Sequence, residues 1–260
     1  METVTHDGRA TAYRVVEGDG TGPTALYVHG SGATHRAWVR QYGPDGPSHP
    51  AVALDLSGHG DSEDVATAAG PATLDAYVED TVAVAAATDA DVLVGNSLGG
   101  AVAQRVAIES DWSPEALVLV GTGPSLPVYD GLREWLTDDF ERAVEFLHGR
   151  DRLFHDADEA LLDRSRSEMR ETGQAVTRRD FLTCHRFDVT DRLSAIDVPT
   201  LAVCGEHDQL TPRAYHERLA REIPDGEFAF VPDAAHLTML EAPDAFNDVV
   251  AEFLAARADG

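Results

Sequence analysis

The sequence predicts an α/β fold: a doubly wound, mostly parallel sheet with a block of helices inserted between two of its strands. Three observations carry that expectation. Short Val- and Leu-rich runs recur along the chain with turn residues at their ends. Stretches of helical periodicity fall between those runs. One long interval, residues 125–197, contains no such run. Runs that are apolar at successive positions are strands buried on both faces, as in a parallel sheet covered by helices. Their alternation with helices argues a doubly wound domain.

In chain order, residues 11–16 (TAYRVV) suit an antiparallel edge strand. Residues 24–29 (TALYVH), 51–55 (AVALD), 91–95 (DVLVG), 116–121 (ALVLVG), 200–205 (TLAVCG) and 227–231 (EFAFV) read as buried strands. Helices are predicted over 74–87, 98–109, 212–223 and 243–256, with Pro212 and Pro243 in first turns, where a missing N–H costs nothing. Within 125–197, Leu132, Leu136 and Phe140 recur at i+4, as do Leu161, Ser165 and Met169 more weakly, and Phe181, Cys184 and His185 mark a third helix. That interval is far longer than an ordinary loop. It is expected to be a helical cap, with residues 1–124 and 198–260 forming one core.

Charge narrows the partners. There are 46 acidic residues against 20 basic ones, all of them Arg, for a net charge of −26. Such a surface repels nucleic acid and anionic membranes at ordinary salt, so neither is expected as a partner. It also repels itself, and molar salt, with a Debye length of about 3 Å, screens that repulsion. The composition therefore predicts a halophilic protein, with Arg-biased codon usage as the alternative. Cys184 and Cys204 stand apart, without CxxC or metal-ligand spacing, which fits a reducing compartment. The first residues form no basic, apolar leader, and no run approaches the ~20 apolar residues of a membrane span. A cytoplasmic monomer or homodimer is expected.

The chemistry concentrates in four places. Gly95-Asn96-Ser97-Leu98-Gly99-Gly100 is G-x-S-x-G between a strand and a helix. A sharp turn there needs Gly95 and Gly99 for room and projects Ser97 as a nucleophile. Read alone, Ser97 is a helix N-cap in a glycine-rich turn. His29-Gly30-Ser31-Gly32 follows an early strand. In enzymes with such an elbow this loop and the residue after the nucleophile supply oxyanion-hole N–H groups, here Ser31 and Leu98. His29 reads as a buried structural histidine. Asp208 follows the strand at 200–205, and His236 follows the one at 227–231. Strand carboxyl ends are where sites collect in open α/β sheets. The order Ser97, Asp208, His236 is that of one triad family and not of the others.

On these motifs the chain resembles the α/β-hydrolase superfamily along nearly its whole length. Asp55-Leu56-Ser57-Gly58-His59-Gly60-Asp61-Ser62 is similar to the family's D-x-x-G-x-G-x-S loop, which implies a structural role for His59 and Asp61. His236 to Pro243 is similar to its histidine loop, although Ala235 stands where a glycine is usual. The resemblance implies a serine hydrolase with a substrate-selecting cap. Serine at the elbow argues against the dehalogenase and epoxide-hydrolase branches, which use aspartate. It favours hydrolysis of a small carboxylic ester or lactone, with no metal and no cofactor. Carbon–carbon bond hydrolysis of the meta-cleavage type, enol-lactone hydrolysis and cofactor-free perhydrolase activity share the triad. The first is disfavoured because no Trp follows His236 among residues 237–240. A non-catalytic ligand-binding member of the fold is the alternative of another class. Trp135, Phe140, Phe181 and Phe187 are candidate pocket aromatics, and Arg166, Arg170, Arg178, Arg179 and Arg186 are candidate partners of a substrate carboxylate or of surface acids.

Overall fold

Burial on both faces decides most of the sheet. The strands β3 (Ala25–Val28), β4 (Ala51–Leu54), β5 (Val92–Asn96), β6 (Ala116–Val120) and β7 (Thr200–Gly205) are buried at every position. That is why each reads as an unbroken apolar run. The structure is a computed structural model and describes residues 1–18, 22–44, 46–47 and 49–258. With β1 (Glu2–His6), β2 (Arg9–Val16) and β8 (Gly226–Val231) the strands form one sheet in the order β1-β2-β4-β3-β5-β6-β7-β8. Pairing is parallel from β4 through β8, whereas β1 pairs β2 and β2 pairs β4 antiparallel.

Side chains alternate between two cores, as strand geometry requires. On β5, Val92 and Val94 face one layer and Leu93 the other. The first layer holds Trp38 with Phe246, Val250 and Phe253. These come from a 3-10 turn (His35–Trp38) and its continuation α1 (Val39–Tyr42), and from the C-terminal helix α10 (Pro243–Ala258), which follows the short α9 (Thr238–Glu241). The second layer holds Leu74 and Tyr77 of α2 (Pro71–Thr88), Val102 of α3 (Leu98–Glu109) and Leu219 of α8 (Arg213–Glu222).

Between β6 and β7 the chain makes α4 (Asp130–Asp138), α5 (Phe140–Leu147), α6 (Glu159–Thr172) and α7 (Gln174–Arg186). It then returns to pair Leu117 with Thr200 and Val120 with Val203. The root of this insert is closed by a bridge between Ser125 and Asp188 and by Val189 N–H donating to the Pro124 carbonyl at 2.8 Å.

Several details differ from the sequence expectation. β8 is not buried on both faces, because it is the sheet's other edge and Phe230 is exposed, and β2 is not an edge strand, because β1 lies outside it. β1 was not anticipated, because Val4 is its single large apolar residue; a turn with positive φ at Asp7 and Gly8 folds it onto β2. The 3-10 turn and α1 are too short to show periodicity. Pro212 is the N-cap of α8 rather than a first-turn residue.

Candidate active site

The elbow between β5 and α3 is a strained turn. Ser97 has φ 55° and ψ −112°, a conformation L-residues seldom adopt. Neighbours hold it there. Its N–H donates to the Val120 carbonyl at 2.9 Å, and its carbonyl accepts from the Thr122 hydroxyl at 2.9 Å. A Cβ on Gly95 would meet the Gly99 carbonyl oxygen at 2.2 Å, and one on Gly99 the Val28 carbonyl oxygen at 2.3 Å. Both glycines are therefore required by close backbone approach rather than by φ. The Ser97 hydroxyl makes no hydrogen bond among the described residues, and Ser97 lines a large cavity.

His236 and Asp208 meet at the carboxyl ends of β8 and β7. The imidazole Nδ1 donates to Asp208 Oδ2 at 2.9 Å. The carboxylate is acceptor-only, so Nδ1 carries the proton between them. Asp208 Oδ1 accepts from the Leu210 and Thr211 N–H groups at 2.8 and 2.9 Å, and Oδ2 also accepts from the Thr211 hydroxyl at 2.6 Å. Burial works to raise the Asp208 pKa. Attraction to the His236 ring, its hydrogen bond and the two Thr211 donors outweigh it and hold the carboxyl below its usual range. Asn96, beside Ser97, donates to the His236 carbonyl at 3.3 Å. Gly121, at φ 52°, sits where a Cβ would be strained and would crowd the imidazole Nδ1 at 3.0 Å. Ser97 and His236 share the cavity wall, Asp208 lies behind the imidazole, and no hydrogen bond joins the hydroxyl to the ring. Hydrogen bonds of this kind often tighten only around substrate.

The loop after β3 supplies amides. The Ser31 N–H has no acceptor among the described residues, and Ser31 lines the cavity. Leu98 heads α3, where the first N–H groups lack an intrahelical acceptor. The insert fixes this loop from above: Asp180 of α7, fully buried, accepts from the Gly32 N–H at 3.0 Å, from His59 Nε2 at 2.8 Å and from the Tyr77 hydroxyl at 2.6 Å. His29 is tied on both nitrogens. Its Nδ1 donates to the Gly30 carbonyl at 2.8 Å and its Nε2 accepts from the Leu56 N–H at 3.1 Å, and burial lowers its pKa to about 4. His59 and Asp61 hold loops together as well: His59 bonds the buried Asp180, and the Asp61 N–H donates to Asp55 at 3.1 Å.

The cavity has a volume of about 370 Å³, within the range of small-ligand sites. Of the four aromatics expected on its wall, Phe181 alone is there. Trp135 packs on Phe146 with ring centroids 5.2 Å apart, Phe140 joins the first core layer from its edge, and Phe187 is buried in the second. Helical periodicity identified a buried face but not which buried face borders the void. The five candidate arginines also lie off the wall: Arg166, Arg170 and Arg179 pair with carboxylates, and Arg178 and Arg186 bind Thr137 and the Ala69 carbonyl. The ionisable residues on the wall besides His236 include Arg152 and Glu168, neither foreseen. At the outer seam between insert and core, ligand-type atoms of Asp151, His155 and His207 lie within 4.8 Å of one another, as do those of Glu206, His207 and Asp233. None of these residues lines the cavity.

Residues 25–249 match the model of the Alpha/beta hydrolase family. The chain belongs to that family. Among curated relatives it is 28% identical to a pimeloyl-[acyl-carrier protein] methyl ester esterase of Pectobacterium atrosepticum, over 95% of this chain and all of the relative. Among solved structures it superposes on a thermophilic esterase with a TM-score of 0.85 and 32% identity, covering 98% of this chain and 97% of that one. The enol-lactonase of Burkholderia xenovorans LB400 superposes equally well, TM-score 0.85, covering 98% of this chain and all of that one; at 21% identity it speaks to the fold alone. Within this α/β hydrolase, Thr211, Thr122 and Asn96 support the site, and the sequence carried one signal for them: each sits on or just beyond the carboxyl end of a strand or beside a motif residue.

Proposed function

We propose that this ester-cleaving α/β hydrolase works through an acyl intermediate on Ser97, with residues 125–197 as a cap that selects the substrate. The observation that carries the reading is the 2.9 Å bond from His236 Nδ1 to Asp208 Oδ2, on a cavity shared by Ser97 and the unused Ser31 amide. Ser97 Oγ adds to the ester carbonyl as its proton passes to His236 Nε2. The oxyanion forms against the Ser31 and Leu98 N–H groups, and Asp208 stabilises the imidazolium. Collapse expels the alcohol, which takes the proton from His236. Water, deprotonated by the same nitrogen, then adds to the acyl carbon and releases the acid and a free Ser97. Small carboxylic esters and lactones fit this sequence, and none of its steps draws on a metal or cofactor.

A fluorophosphonate probe and p-nitrophenyl butyrate test the scheme. One equivalent of label per chain is expected, with Ser97→Ala abolishing it and lowering turnover by at least about 10³-fold. Turnover that survives in Ser97→Ala overturns the nucleophile, and wild-type protein that neither labels nor turns over is a binding member of the fold.

A further inference from the structure

We infer that Arg152 is an anchor for an anionic group of the substrate, so that the preferred ester or lactone carries a carboxylate away from its scissile bond. The inference rests on the reading of the cavity as an ester-cleaving site and adds the chemical class that the site takes.

Arg152 is a half-buried cation on the cavity wall of a strongly acidic protein. With 46 carboxylates for 20 arginines, acid partners are abundant, yet Arg152 has none among the described residues. Its side-chain contacts are neutral. One Nη donates to the Phe146 carbonyl at 2.7 Å, and the guanidinium lies over the Phe146 ring at 3.7 Å. Nε and the other Nη have no protein acceptor and are not sealed from solvent. A planar fork with donors to spare is matched to a carboxylate. Stacking and the carbonyl bond hold it in one orientation, so little freedom is lost when an anion arrives.

Its place relative to the chemistry is fixed through the backbone. The His236 N–H donates to the Arg152 carbonyl at 3.2 Å, and the Leu237 N–H to the Leu153 carbonyl at 3.0 Å. The guanidinium therefore stands on a segment laddered to the loop of the general base. The other ionisable wall residue described above, Glu168, forms no ion pair with it. Its carboxyl bonds the Thr34 hydroxyl, and burial pushes its pKa up. Leu126, Leu132, Leu153, Met169 and Phe181 make much of the remaining wall apolar. Such a wall accepts an aliphatic chain between the reacting carbonyl and a charged end.

Two matched substrate pairs test the anchor. Mono-p-nitrophenyl glutarate against p-nitrophenyl butyrate places the carboxylate on the acyl side, and 4-butyryloxybenzoate against phenyl butyrate places it on the alcohol side. In the wild type one pair should favour the anionic member in kcat/KM. Arg152→Gln should lower that preference by about 10- to 100-fold, mainly through KM, as expected for loss of a charge-assisted bond. Arg152→Lys should recover part of it. A preference that changes less than about threefold in both pairs overturns the anchor. Calorimetric titration of glutarate into Ser97→Ala, with and without Arg152→Gln, separates this inference from the catalytic one. Glutarate binding that depends on Arg152 supports the anchor even where ester turnover fails, and binding indifferent to Arg152 removes it even where Ser97 is the nucleophile.

Discussion

Asp208 is asymmetric at the level of single atoms. Oδ1 takes two backbone N–H groups, and Oδ2 takes His236 and Thr211. In Asp208→Asn the two N–H groups keep the amide oxygen at the Oδ1 position and leave the NH₂ facing His236 Nδ1. The NH₂ can only donate, so the ring must hold its proton on Nε2, where it cannot act as a base. A fall in kcat of about 10³- to 10⁴-fold is expected, with labelling by a fluorophosphonate slowed in parallel. A variant retaining more than a tenth of the wild-type rate would refute the assignment of Asp208. Asp208 and His236 were singled out in the sequence because each follows the carboxyl end of a strand on a loop. Arg152 and Asp180 were not. Arg152 lies on an insert turn, Asp180 within a helix, and only tertiary packing brings them to the site.

Among the elements, the buried strands were readable for the same physical reason that they are central: two covered faces leave no polar position to break the run. The edge strand β1 and the pocket-facing side of the insert were not, since both owe their place to what they pack against. α7 illustrates the consequence. Through Asp180 it joins the loop of Ser31, the loop of His59 and Tyr77 of α2. Burial opposes the charge on both partners, but their mutual attraction prevails, lowering the Asp180 pKa and raising that of His59. Asp180→Asn leaves one of three buried donors without its acceptor and His59 without its counter-charge. A loss of about 3 kcal/mol in urea unfolding is expected, as is typical when one member of a buried pair is removed. Because Gly32 directly follows Ser31, kcat should drop about tenfold with KM little changed. Equal stability in variant and wild type would show that the clamp is not what secures the insert.

The molecule as a whole is squeezed by proton binding from both sides. Burial lowers His29 and His216 to about 4. Each is neutral when folded but titrates near 6.5 when unfolded, so the stability it contributes is present above pH 6.5 and drains away as pH falls toward 4, by about 3 kcal/mol each. His59 acts in the other direction: its raised pKa gives stability that is complete below 6.5 and is lost as pH climbs through the folded value. His216 also accepts the Thr122 N–H at 3.0 Å, next to the hydroxyl that holds Ser97. In His216→Gln an amide oxygen can take that N–H without titrating. Its stability relative to wild type should therefore improve between pH 6.5 and 4.5, by up to one proton's worth of slope, in urea unfolding at stepped pH. A constant difference across that range would mean that His216 is already charged in the folded protein.

Salt acts on the same surface through a different balance. The exposed pairs, such as Arg213 with Glu217 and Arg170 with Glu141, weaken as salt rises, but pairs of this kind contribute little to begin with. The acids outnumber the arginines by 26, and repulsion among those unmatched charges extends over a Debye length of about 8 Å at physiological ionic strength and about 3 Å at 1 M. Screening should therefore relieve more repulsion than it costs in attraction. Raising KCl from 0.05 to 2 M is expected to lift the Tm by about 10 °C or more, with most of the gain below 1 M, where the Debye length changes fastest. An isosmotic sugar separates screening from exclusion of cosolute, since it strengthens burial without touching charge. A Tm that tracks sugar and KCl alike, or that falls with KCl, would assign the Arg-only, acid-rich composition to codon usage instead of to life in concentrated salt.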